Sequence, residues 1–177
     1  MGIEYALLGF LWQRPMHAYQ MHQELLHAEA LGLVWHLKQA HLYALLGKLE
    51  AAGLLSGTTQ PQGTRPPRRM LRLTSAGEHA LQTWLTTPVE HGREFRLDFL
   101  AKLFFATRAE PGTAALLIAR QQQACRDWSS SLQGHLQEVD TGRPYERLVL
   151  QFRLGQIEAI LSWLRECEEV LSTLSAP

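Results

Sequence analysis

The most constraining feature of this chain is a predicted helix that ends at a glycine and leads into an arginine-rich hairpin. Over residues 39–52, apolar side chains recur with the i, i+3, i+4, i+7 spacing of one buried helix face: Leu42, Leu45, Leu46 and Leu49. Gly53 stands where a helix C-cap glycine belongs. Two extended segments follow, at 54–55 and 68–73. A helix followed by a basic two-stranded hairpin predicts a winged helix-turn-helix, which lays its helix in the major groove of DNA.

Charge is unevenly distributed, although the whole chain carries 17 Lys/Arg and 17 Asp/Glu. Residues 1–87 hold seven Lys/Arg and five Asp/Glu, whereas residues 88–177 hold ten and twelve. Four of the seven N-terminal cations fall within eight residues: Arg65, Arg68, Arg69 and Arg72. A local basic cluster, rather than the total charge, is what meets phosphate groups. The distribution therefore favours a nucleic-acid partner at the hairpin.

Hydrophobic patterning predicts a mainly α chain in two parts. Helices are expected at 3–13 and 17–30, the second burying Tyr19, Leu25 and Leu26, and a further helix opens where Ser75 and Glu78 have capping-box spacing. Residues 88–95, with Pro88 and Gly92, are predicted to be a linker. The expected domains are a winged helix-turn-helix with a two-stranded β wing over 1–87 and an all-α dimerisation domain over 96–177.

The last predicted helix, of about 30 residues, carries an apolar stripe that recurs in heptads. The stripe comprises Leu150, Leu154, Ile157, Leu161, Leu164 and Leu171. The other helices of the C-terminal half do not readily cover a stripe of this length. We therefore expect a second copy of the chain to cover it in a two-fold homodimer. The alternative is that the stripe packs only against the neighbouring long helix. A dimer would address a pseudo-palindrome with half-sites about one helical turn apart.

The remaining composition points away from membranes and catalysis. The chain has no apolar run of about 18 residues, so we expect no transmembrane span, and it lacks a signal-peptide start. Cys125 and Cys167 match no CxxC pattern and are expected to be buried or half-buried free thiols in the cytoplasm. No nucleophile elbow, phosphate-binding loop or HExxH motif is present, so we expect neither an enzyme nor a cofactor.

Four short motifs follow one another between residues 7 and 77: LLGFL, PMHAY, LY with LEAAGL, and RP through RLTSAG. In this order they resemble the PadR-like family of bacterial transcription regulators. The segment EFRLDFLAKLFF at 94–105 is similar to the start of the C-terminal domain in longer members. The resemblance implies a winged-helix repressor, dimeric through its C-terminal helices, whose hold on DNA is relieved by a small effector. Ala18 and Ala44 depart from the family's glycine and proline, which leaves the contacted bases open.

The predicted reading helix has five polar or small positions off the leucine stripe that we expect to contact DNA: Gln39, Ala40, His41, Tyr43 and Lys48. A glutamine near the helix N-terminus can read adenine, and a lysine can meet phosphate or guanine. The resemblance implies that Tyr43 contacts the DNA backbone through its hydroxyl. The alternative is a solvated polar face with Tyr43 half-buried.

In the hairpin, Arg65, Arg68 and Arg69 are predicted to contact phosphates or the minor groove. Strand alternation places Arg69 on the same face as Leu71 and Leu73, so this arginine can instead lie along that surface or form an ion pair. Arg65 and Arg68 are therefore the preferred DNA contacts. The alternative for the set is a charged strand edge that discourages aggregation.

Trp12 and Trp35 flank the predicted domain junction and are candidates for binding a small hydrophobic or aromatic effector, although core packing accounts for most tryptophans. Five histidines could in principle serve a metal-responsive sensor: His17, His22, His27, His36 and His41. Their recurring five-residue spacing turns a helix by about 140°, so they do not share a face as metal-binding i, i+4 pairs do. A second alternative is a winged-helix protein-interaction module that does not bind DNA.

Overall fold

The computed structural model describes residues 2–27, 29–62, 65–140 and 142–174, and it is mainly α-helical. Short 3₁₀ turns lie at Ile3–Tyr5 and Gly92–Glu94, and a π-helical turn, Phe95–Phe99, runs directly into α6. The longer elements, in chain order, are α1 (Ala6–Gln13), β1 (Met16–His17), α2 (Ala18–His27), α3 (Glu29–Gly32), α4 (Gln39–Ala51), β2 (Leu55–Gln62), β3 (Arg65–Leu73), α5 (Ser75–Thr86), α6 (Leu100–Ala106), α7 (Thr113–Glu138) and α8 (Pro144–Leu174).

The strands form one antiparallel sheet in the order β1-β3-β2. The β2–β3 hairpin, called the wing below, pairs from Leu55 opposite Leu73 to Gln62 opposite Arg65, with a shift of register between Gln60 and Gln62. The predicted wing is thus confirmed, but β1 adds a third strand by placing Met16 opposite Leu71. Two residues are too few to show an alternating pattern, so this strand could not be predicted from periodicity.

The predicted reading helix is α4, and its leucine stripe faces the core. Leu42, Leu46 and Leu49 are buried, whereas Leu45 is half-buried. Gly53 adopts φ +71° just after the helix, and the Leu54 N–H donates to the Leu49 carbonyl at 3.0 Å. This is the Schellman arrangement expected of a C-cap glycine, and it turns the chain directly into β2.

The predicted capping box at Ser75 and Glu78 is wrong by one residue. The N-cap of α5 is Thr74, whose hydroxyl accepts from the Gly77 N–H at 3.1 Å and donates to the Gly53 carbonyl at 2.7 Å. A Cβ on Gly77 would lie 1.9 Å from the Leu54 carbonyl oxygen. The glycine at this position therefore lets α5 sit against the turn that starts the wing.

The predicted linker at 88–95 is anchored to the protein by the buried Val89 and Phe95, whereas residues 90–93 between them are exposed. Val89 is buried, its N–H donates to Oε1 of Gln121 at 2.7 Å, and its carbonyl accepts from Nε2 of the same buried side chain at 3.4 Å. The buried ammonium of Lys102 donates to the Thr87 carbonyl at 2.7 Å. These bonds fix the junction between the two halves, and the division into two domains stays a prediction.

The heptad stripe of α8 lies against α7 of the same chain, as the alternative expected, and its predicted part in a dimer interface stays a prediction. Leu150, Ile157 and Leu164 are buried within the protomer, and Leu154, Leu161 and Leu171 are half-buried beside them. The reason is that α7 is long enough to run beside α8 and covers the stripe itself. A different face of α8 is left exposed.

Two further expectations concern the cysteines and membranes. Cys125 is buried and Cys167 half-buried, and both are free, which confirms the expected burial and unpaired state of the two thiols. Burial raises the pKa of the Cys125 thiol above its usual value. None of the described helices combines the length and the hydropathy needed to cross a lipid bilayer.

Candidate nucleic-acid interface

The outward face of α4 carries the side chains that the sequence assigned to DNA. Gln39, Ala40, His41 and Lys48 are exposed, and Tyr43 is exposed over 48% of its surface. Because the leucine stripe buries the opposite face, this polar face is presented to solvent. The structure thus presents the five positions together on α4, and whether they contact DNA stays a prediction.

An open groove of about 650 Å³ lies beside this face, between the start of α2, α4 and β3. Its walls combine apolar and polar surface, and they are formed by His17, Ala18, Tyr19, Gln20, Gln23, Tyr43, Arg68 and Arg69. The prediction that Tyr19 and Leu26 are buried is wrong, because they are 61% and 57% exposed. Met21 and Leu25 take the buried i and i+4 positions of α2, which turns Tyr19 outward into the groove. Sequence reasoning therefore missed a second tyrosine beside Tyr43.

Two wing arginines differ in what surrounds them. Arg68 is exposed at the groove, and no described carboxylate lies within ion-pair distance of its guanidinium. Its charge is therefore free to meet an anion. Arg65 begins β3, but its side chain lies outside the described residues, so its predicted DNA contact stays a prediction.

Arg69 is held by the protein itself. Its guanidinium donates to Oε1 of Glu50 at 2.5 Å, and its carbonyl accepts from Nδ1 of His17 at 3.0 Å. The sequence allowed an ion pair as an alternative role for Arg69, and in the structure its partner is Glu50 in the last turn of α4. In this conformation the charge of Arg69 is balanced within the protein, and its predicted DNA contact stays a prediction.

The tryptophans proposed for an effector lie in different surroundings. Trp35 is 6% exposed and packs in the core, which leaves it no face for a ligand in this conformation. Trp12 is 37% exposed and lines a cavity of about 250 Å³ with Leu81, Leu85 and Ala109, between α1, α5 and the α6–α7 connection. A further cavity of about 370 Å³ between α7 and α8 includes Trp128.

The histidine series does not assemble into a metal site in the described part of the chain. Among those residues, no group of three or more His, Cys, Asp or Glu side chains is placed to hold a metal ion. His17 instead bonds the wing, and His41 points into solvent on α4. The metal-sensor alternative therefore has no described site to act through.

Comparison with known proteins divides the chain between two family models. Residues 7–83 match the Transcriptional regulator PadR-like family, and residues 95–172 match the Virulence activator alpha C-term family. Over its N-terminal part the chain is therefore similar to PadR-like transcription regulators. The resemblance stated from the motifs is confirmed, and so is the expectation that the chain is not an enzyme.

The "Negative transcriptional regulator PadR" of Bacillus subtilis (strain 168) is 28% identical over 137 residues, which cover 77% of this chain and 74% of that protein. Among solved structures, B. subtilis PadR in complex with operator DNA is 26% identical, covers 97% of this chain and 98% of its own, and has a TM-score of 0.47. The same protein in complex with p-coumaric acid is 24% identical, covers 98% and 99%, and has a TM-score of 0.42.

Proposed function

We propose that this PadR-like regulator is a cytoplasmic repressor that binds a pseudo-palindromic operator as a homodimer and is released by a small effector. The DNA-binding part of the proposal is supported by the exposed surface that α4, the start of α2 and the wing form together around one groove. On this surface Tyr19, Tyr43 and Arg68 border a single groove, and the guanidinium of Arg68 is uncompensated.

Each part of the surface suits a different part of a DNA duplex. The exposed face of α4 presents Gln39 to base edges, where its amide can pair with adenine, and Lys48 to phosphate or guanine. Tyr19 and Tyr43 line the groove, so their hydroxyls can donate to a phosphate backbone that follows it. Arg68, with Arg65 beyond it on the same strand, supplies cations from the wing.

A homodimer would form through the face of α8 that its own chain leaves uncovered. Tyr145, Leu148, Val149 and Phe152, called the α8 patch, recur at i, i+3, i+4 and i+7 and are 80%, 63%, 38% and 65% exposed. Contiguous exposed apolar surface of this kind marks protein contacts. A second copy is the natural occupant because a two-fold dimer presents two reading helices to two half-sites.

The proposed repression is supported by the name of a relative, and the proposed effector release by a cavity beside Trp12. The relative that covers three quarters of this chain is named a negative regulator. The cavity beside Trp12 lies between α5 of the DNA-binding half and the α6–α7 connection, so a ligand there would favour one arrangement of the two halves. B. subtilis PadR has been solved with p-coumaric acid, which makes this acid a suitable first probe.

The test is a footprint on the DNA upstream of the protein's own gene. We expect two protected half-sites about one helical turn apart. Gln39→Ala should change base preference within each half-site, whereas Gln133→Ala, at an exposed position of α7 away from this surface, should leave it unchanged and serves as the control. Protection of one unsymmetrical site, or binding that ignores sequence throughout, would contradict the proposal. Affinity for a protein and none for DNA would favour the interaction-module alternative.

The effector is tested on the same complex. Trp12→Ala should leave operator affinity unchanged, because Trp12 lies outside the groove, and should raise the p-coumaric acid concentration needed for release. If the wild type and Trp12→Ala were released from DNA at the same p-coumaric acid concentration, the effector site would lie away from Trp12. No release by any aromatic acid would refute this part of the proposal.

A further inference from the structure

One carboxylate joins the end of the reading helix to both strands of the wing. Glu50 stands in the last turn of α4, and its side chain is 27% exposed. Its Oε1 accepts from the Gly57 N–H of β2 at 3.1 Å and from the Arg69 guanidinium of β3 at 2.5 Å. Hydrogen bonds between charged partners are shorter and stronger than neutral ones. A single oxygen atom therefore ties three elements together.

Gly57 provides the space that this arrangement needs. A Cβ on Gly57 would lie 2.3 Å from Nε and 2.9 Å from Cζ of Arg69, well inside contact distance. The guanidinium thus crosses β2 directly over the glycine on its way to Glu50. Any larger side chain at position 57 would have to displace the guanidinium of Arg69 from this position.

The main chain of Arg69 makes the second half of the connection. Its carbonyl accepts from Nδ1 of His17, which lies where β1 leads into α2. Because a carbonyl oxygen can only accept, Nδ1 of His17 carries the proton. Arg69 thereby links the start of α2 to the end of α4, and both helices border the groove.

We propose that Glu50, Gly57 and Arg69 form a lock that sets the angle of the wing against α4, so that Glu50 strengthens DNA binding although it adds a negative charge to a basic surface. The inference rests on the proposed DNA-binding function. Glu50 and Arg69 are positioning residues in this account, and Arg68 is the residue of the wing that meets phosphate. Without the lock, Arg68 and the reading helix still make their contacts with the duplex, but the wing must first be fixed at the angle that binding requires.

The lock and a direct phosphate contact by Arg69 predict opposite effects of Glu50→Gln on the affinity for DNA. If Arg69 contacted phosphate, Glu50→Gln would release the guanidinium and remove a repelling charge, so binding would tighten. If the lock holds, Glu50→Gln weakens both bonds to the wing, and binding weakens. The loss of hydrogen bonds to a charged acceptor corresponds to an affinity change on the order of tenfold.

The experiment measures fluorescence anisotropy of labelled upstream DNA and of a random duplex over a series of salt concentrations. The variants are Glu50→Gln, Arg69→Gln and Gly57→Ala, with Glu78→Gln, an exposed acid of α5, as the matched control. We expect each of the first three to weaken binding on the order of tenfold at an unchanged salt slope, because no phosphate contact is lost. The control should bind at least as tightly as the wild type.

The outcomes separate the lock from its rivals. Tighter binding by Glu50→Gln, or a salt slope that falls by about one in Arg69→Gln, would overturn the lock and restore Arg69 as a phosphate contact. Circular dichroism confirms equal folded fractions, and should Glu50→Gln unfold, Arg69→Gln decides, since that side chain is 57% exposed. The charge-reversed pair Glu50→Arg with Arg69→Glu should bind more tightly than either single reversal. Absence of salt-dependent binding by the wild type would refute the proposed function rather than the lock.

Discussion

Gly9 on α1 meets Phe105 on α6 across the junction between the two halves, and replacing it with alanine tests how tightly that junction is packed. A Cβ on Gly9 would lie 2.5 Å from Cδ1 and 2.6 Å from Cε1 of the Phe105 ring. The ring cannot swing away freely, because Phe10 and Phe104 pack edge-on against it at centroid distances of 5.2 and 5.0 Å. Gly9→Ala therefore forces a displacement in a buried aromatic cluster.

Two opposing effects determine the size of the change. Overpacking a well-packed core costs about 1–3 kcal/mol, and the contact with three ring atoms places this site in the upper part of that range. In the opposite direction, the higher helix propensity of alanine stabilises the folded state by about 1 kcal/mol relative to glycine. We expect a net loss of roughly 1–2 kcal/mol in the free energy of unfolding, which corresponds to roughly 2–8 °C in the melting temperature of a chain of this size.

The assay is urea and thermal unfolding followed by circular dichroism, with Gly134→Ala as the matched control. Gly134 lies inside α7, and an added Cβ there meets no atom within 4 Å. The control substitution has the propensity gain alone, so it should stabilise the protein by about 1 kcal/mol. If Gly9→Ala stabilised the protein as much as Gly134→Ala, the close packing of α1 on α6 described above would be refuted.

Two more predictions concern the C-terminal half. Phe152→Glu places a charge in the α8 patch, so sedimentation velocity should show monomers in place of dimers, and the stability of the protomer should not change. Ile157→Ala, in the buried stripe, should instead lower the free energy of unfolding by about 2–5 kcal/mol. If Phe152→Glu remained a dimer, the interface would lie outside the α8 patch. Burial lowers the pKa of Lys102 in the folded protein below its usual 10.5. At pH values between the folded and the unfolded pKa, the lysine is therefore protonated in the unfolded chain and deprotonated in the folded protein. Stability should therefore rise with pH through that window, and Lys102→Met should abolish the rise in unfolding measurements made from neutral to alkaline pH.

The elements predicted well from sequence are those whose signal is local and repeated. The leucine stripe of α4 and Gly53 after it specify a helix, its buried face and its end within fifteen residues. In α2 the same reasoning put Tyr19 on the wrong face, because apolar residues occupy several faces of a short helix and periodicity does not decide between them. The two-residue β1 has no pattern of its own and exists only because β3 pairs with it.

The candidate site was predicted in part, for a related reason. Exposure of the α4 positions follows from burial of the stripe, so those residues could be placed from sequence. The partner of Arg69 could not, since Glu50 lies 19 residues away and meets it only after the wing folds back on α4. The heptad stripe of α8 was recognised, but a stripe does not reveal whether its own chain or a second copy covers it, and α7 proved to cover it.

The salt dependence of DNA binding tests most directly whether the surface of α4 and the wing binds a duplex. Each neutralised phosphate contributes about −0.9 to the slope of log K against log salt. We predict a steep negative slope for the wild type on its upstream DNA, and a slope smaller in magnitude by about one for Arg68→Ala, with the exposed Arg153→Ala of α8 unchanged. Binding that does not respond to salt, or an Arg68→Ala slope equal to that of the wild type, would contradict this account.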